Sequence, residues 1–308
     1  MKAMLLAAGL GTRLRPYTLC RPKPLFPVLN TPLLQLTLDR LRKAGFATIV
    51  VNAFHLKDQI KAALVNEKGV IVQEESKVLG TGGGLRMALR HFGREPVLIV
   101  NGDIYHTIDY QQVYRHHTES AAAVTLVLHD FPRFNNVGVD ANNQITGFAA
   151  PGARPGKFSS CLAFTGIHVV DPSILQQIPP DTNYSIIDCY SNYLEENGSI
   201  MAYIAKGHYW TDIGTPEDYL QLHDGLLSRK IPLYEELTLP EAGRAVVAQS
   251  SRVGSNVEII DWACIGSGVT VGEAATLERV VVWDNAEIAA GAELRDVIVT
   301  GAAEYNSH

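Results

Sequence analysis

Short hydrophobic runs alternate with segments of helical period along the first 228 residues. Residues 97–100 are all apolar, as expected for a strand of a parallel sheet that is covered on both faces. Residues 32–44 carry leucines at helical spacing and predict a helix with one apolar face. The pattern predicts further strands at 3–6, 48–51, 70–73, 122–128, 163–170 and 200–205, and helices at 55–64, 84–91, 110–117 and 186–196. This alternation predicts an α/β domain with a Rossmann-like, layered and mostly parallel sheet.

Two local signals refine this domain. Residues 131–157 are rich in Asn, Gly and Pro, and two short apolar runs at 137–139 and 144–148 predict a hairpin or small side sheet. Thr215 followed by Pro216 and two acidic residues predicts the start of a helix, with Thr215 as its N-cap.

A six-residue spacing replaces the α/β pattern after a linker at 229–245. Large aliphatic residues recur every six positions, slip once by one residue, and then continue at six: Val253, Ile259, Ile265, Val271 and Leu277, then Val282, Ile288 and Leu294. This period predicts a parallel β-helix over 246–308, with each repeat forming one side of a coil. The alternative is an antiparallel sandwich with chance alternation. The repeat resembles hexapeptide-repeat proteins, which implies a left-handed β-helix, here with fewer than three full coils.

The composition narrows the function. The net charge of −6 argues against a nucleic-acid or anionic-membrane surface. The four cysteines are widely scattered, which indicates reduced thiols in a cytoplasmic protein rather than a zinc site or a disulfide framework. No apolar run approaches the roughly 18 residues that a membrane-spanning helix needs. The apolar stretch at 3–10 is interpreted as a first strand rather than a signal peptide, because glycine and arginine interrupt it where a cleavage region would lie.

The first loop after a strand carries the strongest chemical signal. Gly9 and Gly11 allow backbone amides to approach phosphate oxygens without interference from a Cβ atom. Arg13 offers a forked donor that suits a triphosphate, and Lys23 adds a point charge between two prolines. A dinucleotide-binding G-x-G-x-x-G loop does not fit, because Leu14 occupies the third glycine position.

Five motifs in this order resemble the family of sugar-1-phosphate nucleotidyltransferases, also called NDP-sugar pyrophosphorylases. They are 6–14 with Pro22-Lys23-Pro24-Leu25, Leu79-Gly80-Thr81-Gly82-Gly83, Asn101-Gly102-Asp103, Val137-Gly138-Val139, and Trp210-Thr211-Asp212-Ile213-Gly214. Together they cover about residues 1–225. The resemblance extends to mannose-1-phosphate and heptose-1-phosphate guanylyltransferases and to muramate-1-phosphate uridylyltransferases, and it leaves the base and the sugar open. It implies that an NTP and a sugar 1-phosphate give an NDP-sugar and pyrophosphate.

The resemblance also implies roles for individual residues. The expected nucleotide-binding set is Ala8, Gly9, Gly11, Thr12, Arg13, Lys23, Gln73, Gly80, Thr81 and Gly82. Residues 80–84 are expected to form a flexible loop that borders the nucleobase and opens a helix. The expected sugar-binding set is Asn101, Gly138, Thr165 and Lys157. Arg13, Lys23 and Asp103 are the expected catalytic residues.

A magnesium site is expected at two aspartates. Asp103 follows the strand at 97–100, and the carboxyl edge of an α/β sheet is where ligands bind. The family resemblance pairs it with Asp212 on one Mg²⁺, a hard cation that takes few carboxylates and fills its other positions with water and phosphate oxygens. The alternatives are a turn or helix cap for Asp103 and a loop-fixing role for Asp212.

One departure concerns the sugar half of the site. After Phe148 the family usually carries Glu-Lys-Pro, where this chain has Ala149-Ala150-Pro151. Lys157 and Arg154 are candidate replacements for the missing lysine.

This departure keeps a second hypothesis open, a non-catalytic relative that senses a nucleotide sugar. A third, acyl transfer by the repeats, is disfavoured because no histidine lies between His223 and His308. We expect the repeats to assemble the chain into a homo-oligomer instead.

Overall fold

The computed structural model describes residues 1–149, 160–240 and 244–301. Their contacts form two compact units, one of Met1–Gly9 with Thr37–Trp210 and one of Leu10–Leu36 with Thr211–His308. The grouping by contacts thus places the segment Leu10–Leu36 with the C-terminal repeats. The boundaries predicted from sequence, 1–228, 229–245 and 246–308, stay a prediction; residues 241–243 of that linker lie outside the described residues.

The elements follow one another along the chain as strands, helices and short 3-10 turns. The strands are β1 (Lys2–Leu6), β2 (Pro27–Val28), β3 (Thr31–Pro32), β4 (Thr48–Ala53), β5 (Val70–Glu74), β6 (Val97–Asn101), β7 (Ile104–His106), β8 (Val124–His129), β9 (Val137–Val139), β10 (Ile145–Phe148), β11 (Cys161–Val170), β12 (Ile200–Ile204), β13 (Trp210–Asp212), β14 (Ala245–Val247), β15 (Arg252–Val253), β16 (Glu258–Ile265), β17 (Thr270–Val271), β18 (Thr276–Val282), β19 (Glu287–Ile288) and β20 (Glu293–Val299). The helices are α1 (Tyr17–Cys20), α2 (Leu33–Lys43), α3 (Lys57–Leu64), α4 (Gly80–Ala88), α5 (Tyr110–Glu119), α6 (Pro172–Leu175), α7 (Ile186–Glu195) and α8 (Pro216–Leu227). The 3-10 turns are Thr12–Leu14, Lys23–Leu25 and Leu89–His91.

The first unit is built on one mixed sheet. Its strands lie in the order β5-β4-β1-β6-β11-β8-β12, and the hairpin β9–β10 extends it by pairing with β11. Neighbouring pairs are parallel except where β11 runs antiparallel to β6 and β8. The predicted layered, mostly parallel sheet and the predicted hairpin are therefore confirmed. Apolar residues of β6 and β8 and of helices α4 and α7 form its core.

Glycines at 80–84 form the first turns of helix α4, so the predicted flexible loop is wrong. The prediction weighed the conformational entropy of successive glycines against helix formation. In the folded chain the Gly82 and Gly83 amides both donate to the carbonyl of Tyr184, about 100 positions later. This tertiary contact outweighs the low helix propensity of glycine.

The N-cap predicted for α8 is confirmed, because the Thr215 hydroxyl accepts a hydrogen bond of 3.2 Å from the Asp218 amide. Asp109, rather than Asp103, caps α5 by accepting from the amides of Gln111 and Gln112. Asp103 lies in a two-residue turn between β6 and β7.

The second unit contains a parallel β-helix. The strands β14, β16, β18 and β20 form one parallel sheet and β15, β17 and β19 another. Partner residues lie 18 positions apart in the first coils, as in Ile259 and Leu277, and 17 apart in the next, as in Leu277 and Leu294. Three sides of six residues give 18, and the slip seen in the sequence accounts for 17. The antiparallel alternative is therefore wrong, and the left-handed twist of the coils stays a prediction.

The length of this module was underestimated. Strand β14 begins at Ala245, the last residue of the predicted linker, and adds a fourth rung to one sheet. Ile265, Val271, Leu277, Val282 and Ile288 lie in its core as expected. Val253 is 45% exposed, because it occupies the same position in the first coil but has no further coil beyond it on that side.

A buried histidine makes the first unit sensitive to acid. His168 in β11 is 1% exposed, and neither ring nitrogen has a hydrogen-bond partner among the described residues. Its ring packs at a centroid distance of 5.7 Å against Tyr190 of α7. Burial lowers the pKa of His168 from 6.5 to about 3. The folded chain therefore holds this side chain neutral across the pH range in which the unfolded chain protonates it.

We expect the free energy of unfolding to be unaffected by His168 above pH 6.5 and to fall between pH 6.5 and about 3. In that window the unfolded state binds the additional proton, which contributes up to about 1.4 kcal/mol per pH unit. A His168→Phe variant, which keeps a ring and removes two unsatisfied nitrogens, should be as stable as the wild type at pH 8. Its stability, measured by urea denaturation, should fall less steeply toward pH 4. Parallel pH profiles of the two proteins would contradict this assignment.

Candidate functional site

A row of polar side chains crosses the carboxyl edge of the sheet in the first unit. Register places Asn101 of β6 and Asn52 of β4 on either side of Leu6 of β1, and Gln73 of β5 beside Asn52. The carboxyl ends of parallel strands in α/β sheets are the usual place for ligands. The loop that follows β1 starts at this edge, as the sequence predicted.

Two buried side chains that the sequence analysis missed hold the start of this loop. The Ala7 amide donates to Asn52 Oδ1 at 2.8 Å, and Asn52 Nδ2 donates to Glu75 Oε1 at 2.7 Å. Glu75 is only 2% exposed, and burial raises its pKa, although its hydrogen bonds act in the opposite direction. The pair thus fixes one backbone amide at the point where the chain leaves β1.

Residues 8–13 are half-exposed or exposed after this fixed point. A Cβ atom at Gly9 would meet nothing within 4 Å, so no part of the described chain requires glycine there. Gly11 differs, because its φ is +62° and a Cβ atom would lie 2.6 Å from Thr18 Cγ2. Gly11 is therefore explained by the fold, and Gly9 by space left for a ligand.

The predicted charged residues of the second unit include one close pair. Arg13 Nη2 lies 3.4 Å from Asp212 Oδ2, with side chains 58% and 15% exposed. A Cβ atom at Gly214 would lie 2.5 Å from that carboxylate and 2.8 Å from Arg13 Nη1, so glycine is needed for this approach. Lys23 is 7% exposed and stands in a 3-10 turn behind Pro22. An exposed ion pair of this kind is weak, so Arg13 can exchange its partner for a phosphate.

The predicted sugar-binding residues of the first unit lie around an irregular part of β11. Gly166 has a φ of +78°, and a Cβ atom there would lie 2.5 Å from the amide nitrogen of Asn101. The Thr165 hydroxyl donates to Val127 O at 2.8 Å, and Thr165 O accepts from Trp210 Nε1 at 2.9 Å. Thr165 is therefore engaged within the fold, whereas Asn101 lies against a backbone that needs glycine.

Gly138 lies in β9 and pairs with strands on both sides, at Cys161 and Gly147. A cavity of about 750 Å³ opens next to it. Its wall includes His129, Asp130, Val139, Asp140, Leu162 and Lys206. Apolar walls with a few polar groups are typical of small-molecule sites. Lys157 and Arg154 lie outside the described residues.

The predicted nucleobase residues are packed against the protein itself. The Thr81 hydroxyl accepts from the Ile186 amide at 3.0 Å, and Gln73, fully buried, donates to Gly84 O at 2.9 Å. Cβ atoms at Gly80 and Gly82 would approach backbone atoms of residues 184–186 to 2.7 and 3.1 Å. Close packing of α4 thus gives these glycines a structural reason beside the predicted one.

Residues 2–229 match the model of the family described as "Nucleotidyl transferase". The chain belongs to this family. The predicted reaction class is thereby confirmed, and the matched range holds the five motifs that suggested it.

Curated relatives extend the similarity to almost the whole chain. A UTP–glucose-1-phosphate uridylyltransferase of Synechocystis is 27% identical and aligns over 98% of this chain and 87% of its own length. A mannose-1-phosphate guanylyltransferase of Mycobacterium tuberculosis is 26% identical over 94% of this chain and 81% of its own. A solved structure titled as a putative glucose-1-phosphate thymidylyltransferase from Bacillus anthracis superposes with a TM-score of 0.65 at 20% identity, covering 76% of this chain and 98% of the other. At that identity the superposition supports the fold alone.

Two absences bear on the predictions for this nucleotidyl transferase. In the described ranges no helix has the length and apolar character to cross a membrane. The same residues contain no cluster of three or more His, Cys, Asp or Glu side chains. The second absence leaves the predicted magnesium site as it was, because Mg²⁺ is held by one or two carboxylates together with substrate phosphates.

The two kinds of glycine can be separated by substitution. Gly83→Ala would place a Cβ atom 2.2 Å from the Thr182 carbonyl oxygen, so we expect a loss of about 3 kcal/mol in the free energy of unfolding. Gly9→Ala should change stability by less than about 0.5 kcal/mol but weaken NTP binding roughly tenfold. Urea denaturation and nucleotide titration measure the two effects. A stable Gly83→Ala protein, or normal NTP binding by Gly9→Ala, would refute the respective explanation.

Proposed function

We propose that this nucleotidyl transferase condenses an NTP with a sugar 1-phosphate to give an NDP-sugar and pyrophosphate. The observation that carries the proposal is the exposed loop 8–13, which starts from the fixed Ala7 amide and leaves open space at Gly9. Open backbone at this edge suits phosphate oxygens. The names of the relatives supply the sugar 1-phosphate as acceptor.

The reaction follows from the charges that the substrates bring. An anionic oxygen of the sugar phosphate attacks the α-phosphorus of the NTP, a new oxygen–phosphorus bond forms, and the bond to the β-phosphate oxygen breaks. The attacking oxygen is already deprotonated, so no general base is needed. Catalysis then depends on positioning and on neutralising charge. We assign charge stabilisation at the α-phosphate to Lys23 and binding of the leaving pyrophosphate to Arg13 and the loop amides of Ala8, Gly9, Gly11 and Thr12.

We assign Mg²⁺ to Asp103 and Asp212 on the strength of their motifs. The donor chemistry fits: both are carboxylates, and the Asp212 side chain is 15% exposed, within reach of a ligand. When bound, the ion would neutralise charge on the phosphates. Asn101, Gly138 and Thr165 are proposed to line the sugar, with the Thr165 hydroxyl shaping the backbone rather than contacting it. Gln73, Gly80, Thr81 and Gly82 are proposed to shape the base site. Lys157 is proposed for the acceptor phosphate, and the cytoplasm for the location.

A pyrophosphate-release screen tests the proposed reaction. Four NTPs are combined with a panel of sugar 1-phosphates in the presence of Mg²⁺. The proposal predicts release with at least one pair and none when the sugar 1-phosphate is omitted. Silence across the panel, together with thermal stabilisation by a nucleotide sugar, would favour the sensing alternative and refute the catalytic one.

We also propose that the first coil of the β-helix contacts a second copy of the chain. Val247 and Val253 are 42% and 45% exposed, although they align with Ile265 and Val271, which are buried in the next coil. An apolar end of a solenoid needs cover. Light scattering should show an oligomer for the wild type and a smaller mass for Val253→Glu. A monomeric wild type would exclude this interface.

A further inference from the structure

A buried tryptophan of the β-helix touches the segment that carries Lys23. Trp283, between β18 and β19, is 1% exposed. Its ring lies 4.6 Å from the ring of Phe26 and 6.1 Å from that of Tyr17, measured between centroids. The guanidinium carbon of Arg21 lies 4.7 Å from its ring centroid. All three partners belong to the stretch Leu10–Leu36, which is grouped with the β-helix in the second unit.

These contacts lie on both sides of Lys23 in the sequence. Arg21 precedes Lys23 by two residues, and its guanidinium also pairs with Asp284 at 3.3 Å. Phe26 follows by three, and its amide donates to Lys23 O at 3.0 Å. A cation–π contact on a desolvated tryptophan face is among the stronger contacts of this kind. The backbone of the Lys23 turn is therefore held between two residues that both rest on Trp283.

A second anchor fixes the hairpin that follows. The turn between β2 and β3 consists of Leu29 and Asn30, with φ angles of +48° and +67°. Asn30 Nδ2 donates to Ile265 O of the β-helix at 2.8 Å, and the Leu29 amide donates to His223 Nε2 at 3.3 Å. A left-handed leucine costs roughly 1–2 kcal/mol and persists only where its surroundings fix it. Helix α8 and the β-helix supply those surroundings.

We propose that the β-helix, through Trp283, positions Lys23 for the transfer reaction. Trp283 is a positioning residue, because it acts on the reaction through Arg21 and Phe26. This inference rests on the proposed function for its kinetic consequence and on the contacts of Trp283 for its structural one. It gives the repeat module a part in the chemistry of the chain that is separate from assembly.

The test compares full-length Trp283→Leu with two matched variants. Leu277→Ala removes a side chain from the core of the β-helix and controls for a general loss of stability. Trp283→Phe keeps an aromatic ring and should rescue in part. Amide hydrogen exchange is measured over residues 17–32, and steady-state kinetics are measured at a temperature at which all variants are folded.

We expect Trp283→Leu to exchange at least tenfold faster over 17–32 and to lose about 10- to 100-fold in kcat, with KM for the NTP within about threefold of wild type. Leu277→Ala should keep wild-type exchange in that segment and kcat within twofold. Unchanged exchange over 17–32 in Trp283→Leu, or faster exchange with unchanged kcat, overturns the proposal. So does an equal loss of kcat in Leu277→Ala.

A failure of the proposed function is distinguishable from a failure of this inference. If the wild type forms no NDP-sugar with any substrate pair, the proposed function fails. Exchange rates and the affinity for NTP, which require no turnover, then decide the inference. Faster exchange together with weaker NTP binding in Trp283→Leu alone would support it, and either quantity remaining at the wild-type value would overturn it.

Discussion

Asp103→Asn should lower kcat about 100- to 1,000-fold and leave the fold intact. Asparagine keeps the shape of the side chain in the turn between β6 and β7 but removes the negative charge that a hard cation requires. Turnover is measured by pyrophosphate release at saturating Mg²⁺, and folding by thermal denaturation.

Asp109→Ala is the matched control six residues later. It removes the N-cap of α5 and should cost about 1 kcal/mol of stability without a change in kcat. Near-normal pyrophosphate release by Asp103→Asn would remove Asp103 from the metal site, whatever the control shows.

Asn52→Ala should cost about 3 kcal/mol of unfolding free energy, because it leaves the Ala7 amide and the Glu75 carboxyl without their partner in a buried place. It should also raise KM for the NTP, since the loop that follows Ala7 loses its fixed start. Urea denaturation and initial rates at varied NTP concentration measure the two effects.

Asn192→Ala removes a hydrogen bond of 2.9 Å to the Tyr184 hydroxyl in an exposed position. This control should cost less than about 1 kcal/mol and leave KM unchanged. If Asn52→Ala matched this control in both measurements, the Asn52–Glu75 pair would have no part in holding the loop.

Regular patterns carried most of the fold into the sequence prediction. The apolar run at 97–100 and the leucines of α2 correspond to a buried strand and to an amphipathic helix. The six-residue spacing reached as far as the pairing offsets of the β-helix. Each of these signals is local, because period and burial are written within a few consecutive residues.

The errors arose where distant contacts decide local structure. Helix α4 contains glycines that pack against residues 182–186, a contact no local propensity reports. The β2–β3 hairpin was missed because its Leu29-Asn30 turn lacks the usual Asn-Gly signal and is held by His223 and Ile265. The direction of β11 was not predicted either, since an apolar strand reads the same both ways.

The candidate site divides in the same way. Asp103 and Asn101 were found because they end a buried strand and belong to a motif. Asn52 and Glu75 were missed because their hydrogen bonds join strands that lie 23 and 45 positions apart in the sequence. An amide side chain at the end of an apolar strand is the signal that could have pointed to Asn52.

Transfer of a labelled nucleotidyl group tests the central claim most directly. The full-length chain is incubated with Mg²⁺, a sugar 1-phosphate and an NTP labelled at the α-phosphate, and the products are separated. The account predicts that the label appears in an NDP-sugar, in equal amount to the pyrophosphate released. Label found in a free nucleoside mono- or diphosphate, or left entirely in the NTP with every sugar 1-phosphate offered, would contradict it.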